Sequence, residues 1–117
     1  MAFKLPRLTT DVDCEPIGYP GLTVTFWMNV TAEDWEPPED GRPWETMFYH
    51  GLGRIIERVT FPAEMVDGDE PEVWEIPDGK ALYDLIKADG FDQAIVIWSQ
   101  SQYQDQRQAR LEASAKN

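Results

Sequence analysis

This sequence holds little of what catalytic chemistry usually draws on: its 117 residues include one cysteine, Cys14, and one histidine, His50. A lone cysteine excludes an internal disulfide, so a reducing, cytoplasmic setting is the default expectation. One His and one Cys also exclude a structural zinc site built from four such ligands. Long apolar runs are missing as well. The longest, Ala94-Ile95-Val96-Ile97-Trp98, falls far short of the ~20 residues a membrane-spanning helix requires. Lys4 and Arg7 near the start have no apolar stretch behind them, so no signal peptide is read there. Basic residues are scarce: ten Lys and Arg stand against 22 Asp and Glu, for a net charge of −12. Such a field repels phosphates and disfavours direct nucleic-acid binding.

The acidity is local. Residues 31–79 hold 14 acidic side chains and only Arg42, Arg54 and Arg58, whereas residues 80–117 hold five of each sign. A concentrated negative segment suits solubility, a basic protein partner, or mimicry of a nucleic acid. What the chain has in quantity is apolar and aromatic mass: 42% hydrophobic and 12% aromatic residues, with five Trp. That excludes intrinsic disorder and predicts a single domain over 1–117 with one modest core.

Along the chain, Pro6, Pro16, Gly18, Pro20 and Gly21 make residues 1–21 read as an irregular segment. Leu22, Val24, Phe26, Met28 and Val30 then alternate with polar positions, which predicts a strand. Thr31 and Asp34 form a loose capping pattern for a short helical turn, closed by Pro37 and Pro38 in an acidic, proline-rich loop over 36–43. Trp44, Met47, Phe48, Gly51, Leu52, Ile55, Ile56 and Val59 recur at helical spacing, predicting a helix over 43–58. Gly51 and Gly53 each weaken such a helix by about 1 kcal/mol relative to Ala and mark a place where another backbone comes close. The competing reading starts a strand at Ile55. Phe61-Pro62 closes the element. Met65-Val66 and Glu72–Ile76 flank Asp67-Gly68, as in an acidic-tipped hairpin. Pro77 and Asp78 open a helix over 78–88, with Ala81, Leu82, Leu85 and Ile86 on its apolar face and Gly90 at its end. A last helix starts near Phe91 with Ala94, Ile95 and Trp98 on its stripe, then becomes a polar tail over 103–117. The expected fold is α+β, a short antiparallel sheet with three principal helices.

No nucleophile motif accompanies His50, so it reads as structural. Cys14 reads as a passive thiol. Asp67-Gly68-Asp69-Glu70 lacks the full calcium-loop pattern with its distal Glu, and no phosphate-binding glycine motif follows Gly51-Leu52-Gly53. Neither cofactor, metal nor enzymatic activity is expected. The remaining features point to binding. Trp35 and Trp74 lie in or beside acidic stretches, and tryptophan is favoured in binding hot spots. The candidate partner surface is Trp35, Asp67, Asp69, Glu70, Glu72 and Trp74, with Tyr103 and Arg107 from the tail helix. An uncompensated helix stripe would equally seal a homo-oligomer.

The order of strand, acidic Trp/Pro loop, amphipathic helix, then Trp74-Glu75-Ile76-Pro77-Asp78 and two helices resembles small tail assembly proteins of long-tailed phages, the tail assembly chaperones above all. The resemblance covers most of residues 17–103. It implies transient binding to a tape-measure protein, keeping its long apolar helix soluble, and recruitment of tail-tube subunits. It carries over no partner-binding residue by position. Such chaperones are often made in two lengths by ribosomal frameshifting, and Ala115-Lys116-Asn117 can be encoded as GCA-AAA-AAC, a slippery run. The alternative reading is an acidic nucleic-acid mimic that inhibits a host defence or DNA-binding protein, and a third is a small enzyme with His50 and carboxylates converging in a pocket.

Overall fold

The computed structural model describes residues 8–28, 47–88 and 91–115. The predicted helical turn, the acidic Pro loop, Trp35, Trp44 and Gly90 lie outside them. Among the described residues the chain runs β1 (Thr9–Asp13), β2 (Thr23–Trp27), α1 (Met47–Ile55), β3 (Ile56–Phe61), β4 (Glu72–Glu75), α2 (Gly79–Ala88) and α3 (Gln93–Ala115). The four strands form one antiparallel sheet in sequence order. This is the expected α+β class.

Residues 1–21 are not wholly irregular: Thr9–Asp13 is a strand. It escapes a pattern search because only Val12 is buried, between two aspartates. An edge strand needs few apolar contacts, since the ladder supplies its hydrogen bonds. Asp11 accepts the Thr25 hydroxyl at 2.6 Å, which lets Thr25 be buried on β2. The turn into β2 passes through a 3-10 segment, Glu15–Ile17, and Gly18 at φ 97°, a conformation that disfavours side chains with a Cβ. Cys14 N–H donates to the Leu22 carbonyl at 2.9 Å and closes the hairpin.

The predicted 43–58 helix holds over Met47–Ile55 and is corrected at its last three residues, 56–58, while 43–46 lie outside the described residues. The α1 helix ends at Ile55 and β3 follows at once, as in the competing reading. The β2–β3 register explains the confusion. Phe26 pairs with Ile56 but Thr25 with Arg58, so Glu57 is an extra residue, a β-bulge. The bulge places Ile56 and Val59 on one face although they are three residues apart. A strand thereby acquired a helical spacing.

Val12, Val24, Val59 and Trp74 form one row across all four strands on the face that packs against the helices. The α3 helix lies over β1 and β2. Its Tyr103 is fully buried, stacks on Phe26 at 4.6 Å between ring centres, and donates its hydroxyl to the Trp27 carbonyl at 2.8 Å. Helix α2 packs on α1. There Gly53 meets the Gly79 backbone so closely that an added Cβ would lie 2.5 Å from it, as the glycine reading anticipated. Asp78 caps α2 by accepting the Ala81 N–H at 3.0 Å, and Asp92 caps α3 by accepting the Ala94 N–H at 2.9 Å. The hairpin is also corrected: its arms are β3 and β4, and Met65 lies in a 3-10 turn, Ala63–Met65, in the loop between them. Among the described residues, no helix is long and apolar enough to cross a membrane.

Candidate functional site

The β3–β4 hairpin is the most one-sidedly charged part of the described structure. From Val59 to Gly79 the sequence has no Lys or Arg, while Glu64, Asp67, Asp69, Glu70, Glu72, Glu75 and Asp78 are acidic. Strand β4 is short because Pro71 precedes it and Pro77 follows. The loop is turned back by a hydrogen bond from Asp69 N–H to the Val66 carbonyl at 3.1 Å, with Asp69 itself at φ 60°. Aspartate tolerates that left-handed conformation better than bulkier side chains.

Strand alternation sends Phe61, Glu72 and Trp74 to the helix side of the sheet. There they meet Leu85 of α2 and Met65 and Val66 of the loop, and together they line a cleft of about 530 Å³ that also includes Asp67 and Gly68. Trp74 is half-buried and Met65 is 40% exposed, so the apolar floor is open to solvent. Phe91 braces the floor from behind, edge-on to Phe61 at 5.9 Å. Asp67 and Glu72 supply the carboxylates of the lining, and neither has an ion-pair partner among the described residues.

A second cleft, of about 380 Å³, lies near the α1–β3 junction between Trp27, Gly53, Arg54, Glu57, Glu75, Ile76 and Pro77. Its lining carries one cation, Arg54, with Glu57 and Glu75, and Arg58 just outside it pairs with Glu57 and stands opposite Glu75 in the ladder. His50 and Cys14 line neither cleft. Cys14 is completely buried, and burial, with Asp13 nearby, pushes its thiol up to about 11. A thiol held protonated is a poor nucleophile. Among the described residues, no group of three or more His, Cys, Asp or Glu is placed to hold a metal ion.

The structure divides the residues singled out from the sequence. Asp67, Glu72 and Trp74 share the first cleft. Asp69 and Glu70 are exposed on the same loop but do not line it. Tyr103 is a correction: it is a core residue, and it turns inward because β2 offers both the Phe26 ring and the Trp27 carbonyl, which accepts its hydroxyl. Arg107 stands one helical turn on. Burial raises the Tyr103 phenol above the usual tyrosine range, and Arg107 partly offsets the rise. Both sit with α3 over β1 and β2, away from the edge strand β4. Sequence reading missed Phe61, Met65, Val66 and Leu85 as lining residues. The usable signal was Met65-Val66, an apolar pair in a loop with no strand or helix of its own to bury it.

No protein-family model matches the chain, and no curated protein or solved structure matches it either.

Proposed function

We propose that this protein acts by binding another protein, as an assembly chaperone that shields an apolar segment of its partner. The open apolar cleft beside β4, with Asp67 and Glu72 in its lining, carries the reading. Such a cleft takes apolar anchors from a partner helix, and the surrounding carboxylates keep the loaded complexes apart by mutual repulsion. The chain order described above, which resembles tail assembly chaperones of long-tailed phages, supports the specific form: a tape-measure helix is held soluble in the host cytoplasm while tail-tube subunits are recruited. A nucleic-acid mimic needs carboxylates spaced like phosphates along one exposed face. Carboxylates flanking an apolar floor suit a protein segment better.

Co-expression with a tape-measure fragment tests this. The fragment should move from the insoluble to the soluble fraction in the presence of this protein. Met65→Glu, which changes a half-exposed lining residue and leaves the core alone, should abolish the effect. A fragment that stays as insoluble with the wild-type protein as without it rejects the proposal.

A further inference from the structure

Beside the cleft, the outer edge of β4 has no neighbouring strand among the described residues. In an antiparallel pair, alternate residues direct their N–H and C=O groups toward the partner strand. Ile76 N–H donates to the Glu57 carbonyl at 3.0 Å, which fixes the phase. Trp74 and Glu72, opposite Val59 and Phe61, share that phase and point at β3. Val73 and Glu75 therefore point their backbone groups away from the sheet. No described segment pairs with them. Val73 is also 53% exposed, among the most exposed large apolar side chains described.

Proteins commonly blunt such an edge with charge, and here every charge on it is negative. A second copy pairing along the same edge would bring only further carboxylates from its own β4, Glu72 to one face and Glu75 to the other, and no cation to meet those already there. An extended segment carrying Lys or Arg meets the opposite situation. Its backbone satisfies Val73 and Glu75, and its cations, alternating along one face, meet either Glu72 on the helix side of the sheet or Glu75 on the opposite side.

We infer that β4 is an acceptor edge for a basic, extended segment of a partner protein, which adds to the sheet as a fifth strand beside Val73 and Glu75. The inference stands on the edge alone and does not need the tape-measure reading.

Amide hydrogen exchange on the full chain tests it, with a short alternating Lys-Val peptide as probe. Exchange at Val73 and Glu75 should slow by about tenfold or more with saturating peptide, while Ile76, already bonded to β3, stays unchanged. A Glu-Val peptide of the same length should give no protection. Val73→Pro removes the outward donor at a position where β3 loses no hydrogen bond, so the fold should survive and the peptide should no longer bind. The double variant E72K/E75K should reverse the preference toward the Glu-Val peptide, which keeps the test decisive should the proline variant unfold. Absence of protection at Val73 and Glu75 with the Lys-Val peptide overturns the inference. So does protection that grows with protein concentration without peptide, since a second copy would then occupy the edge.

Discussion

The two edges of the sheet are both acidic, yet they are treated differently. At β1, Asp11 accepts the Thr25 hydroxyl and Asp13 accepts the Glu15 N–H, and α3 lies across the strand, with Gln106 hydrogen-bonded to Thr10. At β4, Glu72 and Glu75 have no hydrogen bond or ion pair from a side chain among the described residues, and the neighbouring cleft exposes apolar surface. Carboxylates at the first edge are part of the architecture. Those at the second make no such bond among the described residues, although Glu75 stands opposite Arg58 in the ladder. The same residue type thus does structural work at β1, under a helix, and is left without a side-chain partner at β4 among the described residues.

That contrast is breakable by substitution. The largest effect belongs to the sealed side. Tyr103→Ala removes a fully buried ring and its bond to the Trp27 carbonyl, and should cost about 4 kcal/mol in urea unfolding, within the range for large buried aromatics. Gly53→Ala should follow at about 3 kcal/mol, because the Gly79 backbone cannot yield as a flexible side chain would. A smaller loss attends alkaline pH. The buried Cys14 thiol keeps its proton up to about 11, whereas the unfolded thiol gives it up near 9.0. The folded state then binds more protons across that window, so stability is full below pH 9 and declines as pH rises toward 11, by on the order of 2 kcal/mol. Cys14→Ala should flatten that decline in urea midpoints measured between those limits. Asp78→Ala, which removes the cap of α2, should cost about 1 kcal/mol in thermal unfolding. Reversing Asp67, Asp69 and Glu70 together should change stability by less than about 0.5 kcal/mol, since exposed charges without partners contribute little. It should nevertheless impair partner binding in a pull-down. A large stability loss from the last variant would erase the difference between the two edges.

Much of the fold was legible in the residue pattern. Strand β2 followed from the alternation of Leu22, Val24 and Phe26, and α2 from Asp78 and the spacing of Leu82 and Leu85. Strand β1 was not legible, because an edge strand with one buried residue leaves almost no periodic signal. The α1–β3 boundary misled for a sharper reason: the bulge at Glu57 gave a strand the spacing of a helix. Of the candidate site, Asp67, Glu72 and Trp74 were visible from charge and residue type. The rest of the lining was not, since Phe61, Met65 and Leu85 come from a strand, a loop and a helix that only packing brings together. Tyr103 shows the reverse error, an aromatic in a polar stretch whose burial depends on what β2 presents to it.

Composition and local pattern alone determined the class of fold, the acid-rich middle and the scarcity of reactive side chains, because these depend on residue identity and near-neighbour spacing. Only the tertiary structure decided which carboxylates are bonded internally, which strand edge has no neighbour among the described residues and which apolar residues meet in a cleft. Those are properties of surfaces brought together from distant parts of the chain, and a linear sequence does not state which faces will meet.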